Sequence, residues 1–158
     1  MLFLVDLLYI LFLPVLLAWA ALSRIKGHPP RKGLKERLGY GKTLESNTKR
    51  VLLHAVSVGE VNAIRTLVAD LKESEYDVVI CVTTDSGIQR AKELFGEHHT
   101  VTRFPLDFSF AIKRFIKRIQ PSIIALVELE VWPNLIGFCE RKEIPVVVIN
   151  GRLSLRSY

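Results

Sequence analysis

Apolar and polar positions along this chain fall into blocks whose internal period switches between two values. Val51-Leu-Leu-His-Ala-Val56 is a short apolar run that predicts a buried strand. Ser57-Val58-Gly59 is a tight, small-residue break. From Glu60 the apolar residues recur at Val61, Ile64, Leu67, Val68 and Leu71, the spacing of a helix packed on one face. The rhythm then repeats. Strands are predicted at Val51–Val56, Val78–Thr83, Thr100–Phe104, Ile123–Glu128 and Val146–Asn150. Helices are predicted between them at Glu60–Glu73, Gly87–Phe95, Phe108–Ile119 and Trp132–Lys142. Strand starts fall 22 to 27 residues apart, the size of a βα repeat. Such alternation implies an α/β domain over residues 51–158 with a parallel sheet between helix layers. Right-handed crossovers favour the Rossmann-like strand order 3-2-1-4-5.

The first block differs from the rest. Residues 1–22 are apolar apart from Asp6. About 20 apolar residues span a bilayer as a helix, so residues 1–24 are expected to form an uncleaved membrane anchor. Pro14 would kink it, which a membrane helix tolerates, and Trp19 suits the interface end. A signal peptide is the rival reading, since Ala18-Trp19-Ala20 loosely resembles a cleavage site. Against it, no basic region precedes the apolar run and the positive charge follows it. That charge places the domain on the cytoplasmic face. Full span and single-leaflet insertion stay open.

Charge is concentrated in one stretch. Residues 23–50 carry nine Lys or Arg against Glu36 and Glu45, whereas residues 51–158 carry 13 basic and 13 acidic side chains. Residues 25–50, rich in Gly, Pro and basic side chains, read as a juxtamembrane linker with a short helix at Leu34–Leu38. Such a run attracts an anionic membrane surface. Nucleic acid is not expected as a partner: Tyr40 is the only aromatic in the run. Cys81 and Cys139 lack CxxC spacing and are expected to be buried free thiols.

The candidate chemistry collects where the predicted strands end. Ser57, Gly59 and Glu60 follow strand one; Thr84, Asp85, Ser86 and Gly87 follow strand two. Asp107 follows strand three, Glu128 and Glu130 follow strand four, and Asn150 and Arg152 follow strand five. Open α/β sheets bind ligands at this edge. Taken singly, each residue has a structural alternative. Glu60 would cap its helix, and Asp85, Ser86 and Asp107 would serve turns or caps. If strand four persists, Glu128 and Glu130 point to opposite faces, so only one enters a cleft. There is no GxGxxG and no P-loop, and no spacing suggests a metal site.

Five stretches carry a family resemblance. They are the apolar run with its basic linker, His54-Ala-Val-Ser-Val-Gly-Glu60, Thr83-Thr-Asp-Ser-Gly87, Glu128-Leu-Glu-Val-Trp-Pro-Asn-Leu135, and Asn150-Gly-Arg-Leu-Ser154 with Arg156-Ser157. In this order they resemble the amino-terminal half of the Kdo (3-deoxy-D-manno-octulosonic acid) transferases. Two departures are a shorter second loop and Gly151 where Ala is usual. The resemblance implies a GT-B fold, two Rossmann-like domains facing across a cleft. The first would bind a lipid A precursor and the second most of the donor CMP-Kdo, with no other cofactor. This sequence stops at Tyr158, so the donor domain is expected to be absent and the chain inactive alone. The implied reaction is inverting and metal-independent, at the inner membrane, with Glu60 as general base. Ser57, Gly59, Thr84, Ser86, Glu128, Glu130, Asn150 and Arg152 are then expected to meet acceptor, and Arg152 and Arg156 its phosphates.

Three function classes follow: a transferase or its acceptor half, a membrane-tethered binding module without catalysis, and a basic surface adaptor. The balanced charge of residues 51–158 argues against the third.

Overall fold

The computed structural model describes residues 5–12, 14, 18, 22, 32–45, 49–128 and 131–150. Among the described residues five strands form one sheet: β1 (Arg50–Ala55), β2 (Asp77–Val82), β3 (Thr100–Arg103), β4 (Ile123–Val127) and β5 (Val146–Ile149). Their order is 3-2-1-4-5 and every neighbouring pair is parallel, as the alternation of elements predicts. Each predicted strand lies within a residue of the observed one at either end.

Neighbouring side chains on a strand face opposite ways, and that alternation divides the core in two. Val51, Leu53, Ala55, Ile80 and Val82 pack against α2 (Val58–Ala63), α3 (Arg65–Glu73) and α4 (Asp85–Phe95) through Val61, Ile64, Val68, Ile88 and Ala91. Leu52, Val79, Cys81, Ile124 and Leu126 pack against α5 (Ser109–Ile119) and α6 (Pro133–Arg141). The sheet is thus covered on both faces, which explains why its strands are continuous apolar runs. Cys81 and Cys139 are buried free thiols in the second layer.

Three expectations are corrected. The helix predicted over Glu60–Glu73 is two helices, because Ile64 leaves helical geometry at φ −86°, ψ 2°. Strand four does not persist through Glu128. It ends at Val127, and Glu128 turns left-handed at φ 63°, so the opposite-face argument for Glu128 and Glu130 lapses. Glu130 itself lies outside the described residues.

The third correction concerns the amino terminus. Among the described residues no helix is long and apolar enough to cross a membrane, so a single spanning anchor is not supported. Much of the run expected to form it (residues 1–4, 13, 15–17, 19–21, 23 and 24) lies outside the described residues. Residues 5–12 are helical and bonded to the domain. Asp6 accepts the Ser109 amide at 2.9 Å and the Asn134 side-chain amide at 3.0 Å, and Tyr9 donates its hydroxyl to Asp107 at 3.2 Å. The one charge in the apolar run therefore has a polar destination.

The basic segment is also partly folded. α1 (Leu34–Arg37) packs beside β3, and Arg37 and Arg50 are buried. Gly39 takes φ 83°, and a Cβ there would collide with the Ala111 carbonyl oxygen. Only glycine lets the segment lie this close to α5.

Candidate functional site

The turn after β1 is a reciprocal helix cap. Ser57 is the N-cap of α2, and its hydroxyl oxygen accepts the Glu60 amide at 3.4 Å. Glu60 answers with both carboxylate oxygens. One accepts the Ser57 hydroxyl at 2.8 Å, the other the Val56 amide at 2.7 Å. This is the S-x-x-E capping box, shifted by one residue at its backbone donor. It leaves Glu60 nearly buried, at 9% exposure, and fixes its orientation.

The neighbouring turn is tied to it. Thr84 caps α4 by accepting the Gly87 amide at 3.2 Å, and it donates its hydroxyl to the Val56 carbonyl at 2.7 Å. Both halves of Val56 are therefore held, its N–H by Glu60 and its C=O by Thr84. Gly87 is required by packing, since a Cβ would stand 2.7 Å from Val82 Cγ1 and 2.8 Å from Thr84 Oγ1. Gly59 is different. A Cβ there meets nothing nearer than Ser57 Oγ at 3.7 Å, so the surface above it is open.

Beyond Thr84 the edge is held by charge. Arg103 pairs with Asp85 and, at 3.0 Å, with Glu36 of α1. Arg37 lies 3.8 Å from Asp85 and donates to the Thr83 carbonyl at 3.0 Å. Burial opposes the shift, but the Arg103 hydrogen bond and charge, with Arg37, hold the Asp85 carboxyl below its ordinary value.

Across the edge, Asp107 caps α6 from a distance. Its two oxygens accept the amides of Asn134 and Leu135, each at 3.0 Å. Burial pushes its pKa up, while those amides pull it back. Below the edge His54 stacks on Phe104 at 4.0 Å between ring centroids, with Trp132 edge-on at 6.1 Å. Burial lowers the His54 pKa to about 4, so the ring is neutral, and Nδ1 lies 3.3 Å from the Cys81 carbonyl oxygen. Among the described residues no three His, Cys, Asp or Glu side chains are grouped as a metal ion requires.

Comparison with known proteins identifies the chain's relatives. The family model for 3-deoxy-D-manno-octulosonic-acid transferase (kdotransferase) matches residues 32–158. The chain belongs to the Kdo transferase family. The 3-deoxy-D-manno-octulosonic acid transferase of Haemophilus influenzae is 38% identical over 147 residues, 91% of this chain and 34% of that protein. That of Bordetella pertussis is 35% identical over 114 residues, 68% of this chain and 26% of that protein. A bifunctional glycosyltransferase/methyltransferase of Fusobacterium nucleatum is 36% identical over 111 residues, 68% of this chain and 17% of that protein. The chain thus spans about a third or less of the length of these relatives, and it corresponds to the amino-terminal part of a Kdo transferase.

Of the site residues expected from the resemblance, Ser57, Glu60 and Thr84 come together around Val56. Glu128 follows the strand next to β1, where His54 stands opposite Leu126, so its turn adjoins theirs. Gly59, Ser86, Glu128 and Asn150 are exposed along the same edge, and Asn150 closes β5 at φ 54°. Glu130 and Arg152 lie outside the described residues. Asp107 serves the cap role that its sequence context favours, whereas Asp85 does not: Thr84 caps α4, and the Asp85 carboxylate is held by Arg103 and Arg37 instead. Sequence reading missed Arg103, Arg37 and Asp6. For Asp6 a signal existed, because a lone carboxylate in an apolar run requires a partner.

Proposed function

We propose that this chain is the acceptor-side domain of an inverting, metal-independent Kdo transferase. It would act at the cytoplasmic face of the inner membrane, where Kdo passes from CMP-Kdo to a lipid A precursor in lipopolysaccharide biosynthesis. In this reading an acceptor hydroxyl attacks the anomeric C2 of Kdo. The C2–O bond to CMP breaks with inversion, CMP leaves with the electron pair, and the hydroxyl proton passes to Glu60. Most of the donor would be held by a second Rossmann-like domain of GT-B type. The exposed side chains Leu7, Leu8, Ile10, Leu11 and Phe12 support contact with a lipid surface.

The observation that carries the proposal is the Ser57–Glu60 pair. It sets an oriented carboxylate at the carboxyl end of the central strand, beside the open surface at Gly59, within a Kdo transferase match. Two donors use part of the carboxylate's capacity, and a carboxylate has about four acceptor positions. Ser86, Glu128 and Asn150 stand along the same edge for acceptor hydroxyls, with Glu130 and Arg152 following Glu128 and Asn150 in sequence. The test is transfer of Kdo from CMP-Kdo to a lipid A precursor, assayed with the chain joined to a donor-side domain and with Glu60→Gln beside it.

A second reading has an observation of its own. Both Glu60 oxygens are already engaged in the cap, as a purely structural residue would have them. On that reading the chain binds the acceptor at the membrane and contributes no base.

A further inference from the structure

On the flank of the domain, residues 39–43 and the carboxyl-terminal half of α5 enclose a cleft of about 680 Å³. We propose that this cleft binds a phosphate group, carried either by a lipid headgroup or by a soluble phosphorylated molecule. The proposal does not rest on the reading of the Glu60 site. α5 begins just after Asp107 at the carboxyl edge, and Arg114, Lys117 and Arg118 lie five to nine residues along it, about 8–14 Å from its start.

The lining is cationic. Arg114, Lys117 and Arg118 face the cleft with Tyr40, Gly41 and Thr43, and no carboxylate is among the lining residues. The ion pairs among the described residues involve Arg37, Arg50, Arg90 and Arg103, and none involves these three cations. Arg118 is the unusual member. It is only 7% exposed, and both bonded nitrogens meet neutral groups, Lys42 O at 3.0 Å and Thr102 Oγ1 at 3.3 Å. Its Nε is buried without a hydrogen-bond partner. The Glu36 carboxylate acts on Arg118 only through its field and is already paired with Arg103. A buried cation without an ion pair of its own is costly, and an anion in the adjoining cleft would supply one.

The other walls are preorganised. Arg114 donates to the Leu38 carbonyl at 2.6 Å and lies 3.9 Å over the Tyr40 ring. Its guanidinium is thus held before any ligand arrives, which lowers the ordering cost of binding. Arginines held in this way suit the oxygens of phosphate. The cleft exceeds the size of a bare phosphate, so it has room for the group that carries the phosphate.

A bland account is that the cations offset the negative end of the α5 dipole. That serves the exposed Lys117. It does not explain why Arg118 is buried among neutral hydrogen-bond partners or why Arg114 is held against the Leu38 carbonyl and the Tyr40 ring.

The test uses the whole chain in a zwitterionic detergent, titrated calorimetrically with inorganic phosphate at constant ionic strength. A parallel arm measures flotation with phosphatidylcholine vesicles, with and without phosphatidylglycerol. Lys117→Gln and Arg114→Gln are compared with Lys113→Gln, which removes the same charge from the same helix outside the cleft. We expect one phosphate to bind, and each cleft variant to weaken it at least tenfold while Lys113→Gln leaves it within twofold. A headgroup source predicts that cleft variants, more than Lys113→Gln, also reduce flotation with phosphatidylglycerol. A soluble source predicts flotation equal across the three variants. The proposal is overturned if phosphate binding is equal in parent and cleft variants. It is overturned equally if phosphate fails to bind and flotation falls no further in cleft variants than in Lys113→Gln. Arg118→Lys, with its thermal melt, checks that the buried position still folds when only the fork is lost.

Discussion

The Asp6 carboxylate accepts the backbone amide of Ser109 at 2.9 Å across 103 residues of sequence. Phe108, the N-cap of α5, offers no side-chain cap, so the first turn of α5 is capped from the amino-terminal segment instead. Asp6→Ala should cost about 1 kcal/mol, the ordinary price of a lost N-cap. Asp6→Leu discriminates further. A helix sitting in lipid would gain from it, whereas a docked segment loses its cap and frees the Asn134 amide that Asp6 also holds. Urea midpoints and protease cleavage near residues 5–12 read the difference. A Leu variant as stable and as protected as the parent would remove the latch.

The two glycines of the site should respond in opposite ways. Gly87→Ala forces its Cβ to within 2.7 Å of Val82 Cγ1 and 2.8 Å of the Thr84 hydroxyl. A loss of about 1–3 kcal/mol is expected from this overpacking and from the strained cap. Gly59→Ala meets only Ser57 Oγ at 3.7 Å and should stay within about 0.5 kcal/mol of the parent. If acceptor approaches over this turn, the methyl group should raise KM while the melting temperature holds.

How far the site could be read from sequence follows from how local each contact is. Ser57 and Glu60 lie three apart, so their cap was legible as the structural alternative for Glu60. The sheet order was legible because the βα rhythm is carried by apolar runs, which cannot be satisfied except between helices. Asp107 was assigned a turn or cap role, but which helix it caps depends on Asn134 and Leu135, 27 and 28 residues away. The burial of Arg37 and Arg50 was hidden by their place in a basic run that reads as solvated. Arg50 satisfies itself with Asp77, Ile119 O and Glu45 O, and only the fold brings those three together. The left-handed turn at Glu128 had no local signal, since Glu rarely adopts it.

Acid should destabilise the domain through His54. Its folded pKa, about 4, lies below the ordinary 6.5 because burial disfavours the imidazolium. Between those values the unfolded chain binds the proton and the folded chain does not, so stability falls as pH falls through that window. The full effect is roughly 3 kcal/mol, complete below pH 4. Asp107, whose pKa is raised by burial, acts in the opposite sense over part of the range. The comparison that isolates His54 is therefore His54→Phe, which keeps the stack on Phe104. Urea midpoints at pH 7, 5.5 and 4.5 should fall less steeply in the variant than in the parent. Equal slopes would assign the acid loss to other groups.

The decisive substitutions concern which carboxylate takes the acceptor's proton. Glu60→Gln keeps size and an amide oxygen for Val56 N–H, so the cap should survive largely intact. Only basicity is removed. In a chain joined to a donor-side domain, turnover should fall about 10²–10⁴-fold, the usual contribution of a general base. Acceptor KM should move little, because the amide still fills the turn. Glu60→Ala is a different experiment. It strips the Ser57 hydroxyl and the Val56 amide of their acceptor, so a stability loss of about 1–2 kcal/mol accompanies the lost activity. Glu128→Gln provides the counter-test, since its exposed, left-handed position on the adjoining turn makes no cap. If Glu60→Gln turns over within a few-fold of the parent and Glu128→Gln or Glu130→Gln is inactive, the base belongs to the β4 turn. Glu60 would then be a capping residue alone, and the non-catalytic role of its hydrogen bonds would be the whole of its function.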